Sequence, residues 1–587
     1  MNLPQTVSIF EHWRGLGVVV SILALLSGCA SAPVADGAPD QVEPDSITGT
    51  QPADDLPAVE LDSELLYQLL LGELALQRGE YETAARSLYD ATEQARDYRL
   101  AERATRVALR ARDFGRARKA ARIWAELRPQ DTEPLEVIAM ALVEEGDISG
   151  ALEVVEELLD RYPEDRTRIY RRMAELLSRQ PNREGALTLM SELAKLDPEN
   201  SEIHYARAYM ADRLDEPELV VESLDRALEL DPRSEDAVLA KAAYLAGVEG
   251  QSASVIELCN TFLENNPDAK RLRLYFARYL VDQGENALAY GQFSVLVEQE
   301  PDNADAFYAA GLLAIELDRM QEAEKYLKSN LELRPRNDQV RLYLGQLAVE
   351  RESYEEALEL YRAVQSEAYY FEAQLSITSV LMESDDAEEA LAHLETLHPV
   401  NQNEYVRWVL TREQVFRNSK RLDEAKAVLD SAVERYPDDT ELLYARGLLA
   451  AQLDLIEIHE QDMRKLLVQD PQNAHALNAL GYTLADATDR YEEAHSLIEQ
   501  ALSIRPEDPF ILDSMGWVQY RMGNHTDAIE YLERALAKRD DAEIAAHLGE
   551  VLWVNGEQDR AREIWQRALE QSPENDVLLD TIKRFDQ

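Results

Sequence analysis

Chemistry on a polypeptide needs nucleophiles, titratable groups or metal ligands brought together. This 587-residue chain offers few such groupings despite its nine histidines and 113 carboxylates. His393 and His398 are five residues apart, not the three or four that set two ligands on one face of a helix. Neither has a cysteine close by in sequence. Neighbouring acids such as Glu355 and Glu356 point apart on a helix, which makes a solvated face and not a general acid–base pair. No HExxH, GxSxG, Walker-type phosphate loop or GxGxxG is present. The chain therefore reads as a non-enzyme, with no cofactor and no metal expected.

The two cysteines, Cys29 and Cys259, differ in setting. Cys259 falls on a core-facing position of a helix and reads as a buried small hydrophobe. Cys29 closes a short apolar run, Val18–Leu26, that is too short to span a membrane. The sequence Leu26-Ser27-Gly28-Cys29 resembles a bacterial lipobox. That resemblance implies a signal peptide over 1–28 and a Cys29 carrying a diacylglycerol thioether and an N-acyl chain. Several acyl chains, at about 0.8 kcal/mol per buried methylene, anchor stably where one would be marginal. Ala30, where Asp would signal retention, implies the outer membrane. Residues 29–60, rich in Ala, Pro, Asp, Gly and Ser, read as a lipidated cysteine followed by a disordered linker with a reach of roughly 30 Å.

The rest of the chain repeats. Met515-Gly516 returns as Leu548-Gly549, Gly523 as Gly556, Ala528 as Ala561, Leu532 as Trp565 and Ala535 as Ala568, each 33 residues on. Small residues suit a close crossing of two helices, large ones fill the gap beside it, and Gly or Pro ends each helix. Prolines recur at Pro129, Pro163, Pro198, Pro232, Pro267, Pro301 and Pro335, 34 or 35 residues apart. The pattern resembles the tetratricopeptide repeat, a helix–turn–helix unit of about 34 residues. It implies an all-α superhelical solenoid of about fifteen units. The glycine site is degenerate at Thr105, Ala139, Met173, Ala208, Ala243 and Ala277, then returns at Gly311 and Gly345. The expected organisation is an N-terminal array over 61–370, an irregular unit with a bend over 371–405, and a C-terminal array over 406–575. Residues 400–405 read as extra, and 576–587 as a capping helix starting at Asp576.

First helices line the concave face of such arrays, where partners bind. In the last units the groove positions are Tyr444, Asn478, Tyr482, Asp513, Trp517, Tyr520, Arg521 and Trp553. Aromatics with polar tips beside hydrogen-bonding groups suit peptide capture; Trp517 and Trp553 equally suit packing between units. The Lys/Asn pattern that clamps a peptide carboxylate is not evident. A net charge of −53 repels phosphate backbones and argues against nucleic acid.

With Leu26–Cys29, the near-continuous array and the stretch 513–571 in hand, the chain resembles tetratricopeptide-repeat outer-membrane lipoproteins of Gram-negative bacteria. These act as adaptors of a periplasmic carboxyl-terminal processing protease. The resemblance implies an outer-membrane scaffold facing the periplasm that binds and promotes that protease and presents cell-wall hydrolases to it. Such proteins offer no catalytic residue to carry over. The alternative is a lipoprotein regulator of peptidoglycan synthesis, a class that usually adds an α/β domain not visible here.

Overall fold

The computed structural model describes residues 61–384 and 386–585. The expected signal peptide, Cys29 and the linker lie outside these residues. Among the described residues there are 31 α-helices and no strand: fifteen helix–turn–helix pairs followed by a single helix. None is long and apolar enough to cross a membrane. Compactness divides the chain between Pro301 and Asp302, leaving one unit before this junction and one after it.

The reason for the regular step is local. Eleven second helices stop two residues short of a proline, from Leu127 before Pro129 to Gln571 before Pro573. The residue between takes φ of −124 to −135° and ψ of 60 to 87°, outside the helical well. Crowding by the proline ring disfavours helix there, so the stop is built into the sequence. Only after the helix His525–Lys538 does a non-proline, Asp540, hold this place among the last four pairs.

First helices end differently. The second residue beyond the helix has positive φ at Gly79, Gly284, Gly523 and Gly556, between 75 and 92°. Arg112, Asp318, Glu352, Lys420 and Asp454 fill the same place at 54 to 59°. A non-glycine there costs on the order of 1 kcal/mol, which the packing on either side must offset.

Within a pair the helices cross at the small residue. A methyl group on Gly549 would stand 2.0 Å from the Trp565 indole nitrogen, and one on Gly345 would stand 2.4 Å from the Tyr361 ring. Where the glycine is absent, Thr105, Ala139, Met173, Ala208 and Ala277 occupy the crossing and are buried. The exception is the expected Ala243, which is exposed. Ala242 is the crossing residue, fully buried and 17 residues before the equally buried Cys259. A longer turn, 247–251, between the helices Glu235–Ala246 and Ser252–Asn265 shifts the count by one. Burial pushes the Cys259 thiol up to about 12, in keeping with an inert core residue.

The irregular stretch comprises two nine-residue second helices, Tyr354–Arg362 and Ala387–Glu395, and two seventeen-residue first helices, Glu367–Glu383 and Gln402–Asn418. Residues 402–405 are thus the first turn of a helix and not an insertion. The stretch lies wholly inside the second unit. The closing helix is Asp576–Phe585, but Asn575 caps it, its side chain accepting from the Leu578 N–H; Asp576 sits within the first turn.

Candidate functional site

The helices Ala474–Ala487, Pro509–Arg521 and Ala542–Val554 are successive first helices. Their residues three before, one after and four after the crossing glycine share one face, because these offsets are four and three apart. On the middle helix these are Asp513, Trp517 and Tyr520 around Gly516. On the preceding helix the first two are Asn478 and Tyr482 around Gly481.

The structure gathers four of the expected residues about a fifth that composition alone did not single out. His547 Nδ1 donates to both carboxylate oxygens of Asp513, at 2.9 and 3.1 Å. Its ring centroid is 4.4 Å from that of Trp517, and its Nε2 lies 3.5 Å from the Tyr482 hydroxyl. Tyr520 packs on Trp517 at 5.3 Å and donates to Glu550 at 3.3 Å. Trp517 Nε1 donates to Asp486 at 3.1 Å. Asp513, Trp517, His547 and Glu550 are all buried. The cluster is therefore a polar seam joining three repeats, with its hydrogen bonds made inside a low-dielectric setting.

Charge shapes its protonation. Burial alone would push the His547 imidazole down. The Asp513 carboxylate, with Glu543 and Glu550 behind it, more than reverses this and holds it above its ordinary value. A protonated ring lying over the indole also gains from the electron-rich face of Trp517. Glu543 is pushed up to about 7, chiefly by burial. Tyr520 is pushed up to about 12 by burial and by Glu550, and Tyr482 well above its usual value by burial.

The remaining expected residues lie elsewhere. Arg521 sits at the edge of the seam, donating to the Asp486 carbonyl at 2.8 Å and to the Tyr491 hydroxyl at 3.2 Å. Trp553 does not face a groove. It stacks on Trp565 at 5.7 Å, with Phe585 of the closing helix at 6.5 Å and the Arg562 guanidinium 4.8 Å from its ring centroid. Tyr444 and Asn478 hold the place of Asp513 in the two preceding pairs, both half-buried; the Asn478 Oδ1 is sealed from solvent without a hydrogen-bond partner. His393 Nε2 donates to the Gln374 carbonyl at 3.2 Å, and burial pushes its imidazole down. No group of three or more His, Cys, Asp or Glu placed to hold a metal occurs among the described residues.

His547, Glu543, Glu550 and Asp486 were the residues missed. Only Glu550 carried a positional signal: it follows Gly549 as Trp517 follows Gly516, whereas His547 follows Asp513 by 34 residues, one more than the 33-residue step.

A stack of short helical pairs crossing at small residues and stopped by prolines defines a helical-repeat protein whose surface is assembled from many similar units. The chain belongs to the tetratricopeptide-repeat proteins. One family model described as tetratricopeptide repeat matches residues 103–166, 274–329, 308–369, 414–457 and 514–576. Two others of the same description match 142–210 and 474–508. The chain is 32% identical to the TPR repeat-containing protein PA4667 of Pseudomonas aeruginosa over 569 residues, covering 97% of this chain and 95% of that one. It is 25% identical to the human mitochondrial import receptor subunit TOM70 over 178 residues, 29% of each chain. Among solved structures, the Cut9–Hcn1 hetero-tetramer of the APC/C matches at 16% identity and a TM-score of 0.30, over 84% of this chain and 97% of that one.

Proposed function

We propose that the chain is a non-catalytic, lipid-anchored scaffold facing the periplasm. In this reading it recruits and promotes a carboxyl-terminal processing protease and presents cell-wall hydrolases to it. The observation that carries the binding role is the run of three consecutive first helices on the face that such repeats use for partners, where Tyr482, Tyr520 and Arg521 stay partly exposed beside the buried Asp513–Trp517–His547 seam. Holding two proteins on one tethered body raises their effective concentration without any new chemistry. The Leu26–Cys29 sequence supports the anchor and the outer-membrane location.

The test is affinity purification of the intact protein from envelopes, with mass spectrometry of what accompanies it, repeated with Trp517→Ala and Tyr520→Ala. The reading expects a protease and a hydrolase, reduced in the variants. It also expects hydrolase cleavage only when chain and protease are both present. Recovery of peptidoglycan synthases in place of a protease would support the regulator, and turnover by the chain alone would overturn the scaffold.

A further inference from the structure

The face that carries Asp513 and Trp517 near the C-terminus forms a cavity within the N-terminal unit. It has a volume of about 270 Å³ and opens among the first helices Tyr98–Arg110, Glu133–Glu145 and Arg166–Ser178. Leu109, Val137, Met140 and Leu176 supply an apolar wall. Glu136 and Met140 stand three before and one after the crossing residue Ala139, the places of Asp513 and Trp517 around Gly516. The repeat thus delivers the same two positions to a second locus, but with different chemistry.

The charges around this cavity do not balance. Glu136 is 6% exposed and its carboxylate has Arg172 Nε at 3.5 Å; Glu133 at the rim has Arg106 at 3.6 Å. With both lining acids matched, Arg179 remains, exposed and without an ion pair or hydrogen bond. The helices that supply Leu109 and Phe114 add to the excess: residues 98–128 hold ten basic against three acidic side chains in a chain of net charge −53, and six of the ten are ion-paired, which leaves the others free. Arg110 and Arg112, beside Leu109 and Phe114, are exposed and unpaired as well.

We propose that this cavity docks an acidic peptide segment, which inserts one leucine- or phenylalanine-sized side chain against Met140 and Val137. Its flanking carboxylates meet Arg179, Arg110 and Arg112. Charge complementarity selects this occupant: carboxylates can meet Arg179, Arg110 and Arg112, whereas a basic segment would find both lining acids already matched by arginines. The inference rests on the reading of the chain as a protein-binding scaffold, but not on the identity of the protease or on the His547 seam.

The probe is a fluorescein-labelled Ser-Asp-Glu-Leu-Asp-Asp-Ser peptide, read by anisotropy against the full chain. Companion peptides carry Lys in place of each acid, or Gly in place of Leu. The acidic peptide should bind about tenfold more tightly than either companion and weaken with added salt. Arg179→Glu, at an exposed position that leaves the fold intact, should weaken it about tenfold. Met140→Trp, which fills the cavity, should abolish the preference for Leu over Gly. Hydrogen exchange on the wild-type complex should show protection in 133–145 and 166–178, so the proposal does not depend on Met140→Trp folding. Trp517→Ala should leave all of this unchanged, which separates the two loci. Equal or tighter binding of the Lys peptide, indifference to Arg179→Glu, or protection confined to the C-terminal unit would overturn the proposal.

Discussion

Gly447→Ala and Gly549→Ala make the same chemical change at the same place in two repeats, and the structure assigns them different outcomes. In an ordinary helix interior, Ala is better than Gly by about 1 kcal/mol. At Gly549 the new methyl would meet Trp565 Nε1 at 2.0 Å and its Cε2 at 2.4 Å. Trp565 is 2% exposed and wedged between Trp553 and Phe585, so the indole cannot step aside. Overpacking of this kind costs about 1–3 kcal/mol, leaving a net loss of up to about 2 kcal/mol after the helix gain. At Gly447 the nearest atom is the terminal methyl of Met463, at 2.2 Å, and the next is 3.5 Å away. A thioether tip can swing into another rotamer for less than about 1 kcal/mol, which the helix gain offsets. A fifteen-pair array does not unfold in two states, so a global midpoint would blur the difference. Local amide exchange resolves it. Gly549→Ala should speed exchange in 542–571 by up to about thirtyfold, whereas Gly447→Ala should leave 440–469 within about threefold of wild type. Equal effects of the two variants, or a larger one at Gly447, would refute the argument that the rigidity of the facing side chain decides the cost.

Other expectations follow from the same contacts. His547 is held above its ordinary value in the fold, so its contribution is complete below about pH 6.5 and is lost as pH rises through the folded value. Glu543, pushed up to about 7, binds its proton more tightly folded than unfolded, so stability also falls between about pH 4.5 and about pH 7. Both slopes have the same sign: exchange in 509–521 and 542–554 should quicken as pH is raised, after correction for the intrinsic rate. Glu543→Gln should remove the lower part of that dependence and His547→Gln the upper. Asp462 is 1% exposed and takes two hydrogen bonds from Arg446, at 2.8 and 2.7 Å. Asp462→Ala should cost about 3 kcal/mol by leaving the guanidinium only its 3.3 Å contact with Asp430, while the Arg446→Met, Asp462→Leu double variant should recover most of it, measured by amide exchange in 440–469. Lys420→Gly, at φ 59°, should raise the stability of its pair by up to about 1 kcal/mol, measured by exchange in 402–435.

The repeat was most legible where backbone chemistry leaves one solution. Proline two residues past a helix can be read directly, and it set the register from Pro129 to Pro335. Positive φ at the first turn was legible only where glycine marks it. Arg112, Glu352 and Lys420 adopt the same geometry with side chains that carry no such signal. The one-residue error at Ala243 came from a turn whose added length lies between two landmarks and so shifts one without disturbing the other. The shortness of the helix Tyr354–Arg362 was not legible because helix length there is set by packing, not by a stop residue. The candidate site was half legible. Aromatic and acidic residues at the repeating face positions could be named, but the centre could not. His547 reaches Asp513 from a position two before its own glycine, next to the repeating face and not on it. Likewise, Trp553 holds the place of Tyr520 but turns to the closing helix, because Trp565 and Phe585 offer it a larger apolar surface than solvent would.

The sealed thiol at Cys259 has a practical meaning for measuring this molecule. It is fully buried and its proton is held to about pH 12, so maleimides and spin labels will pass it by under native conditions. Among the described residues it is the only cysteine. A cysteine placed at Arg179, or at any exposed site, therefore becomes a unique chemical handle in a chain whose Cys29 has been removed or acylated. Distances between two such handles can then be followed by resonance energy transfer while partners are added, without first redesigning the core.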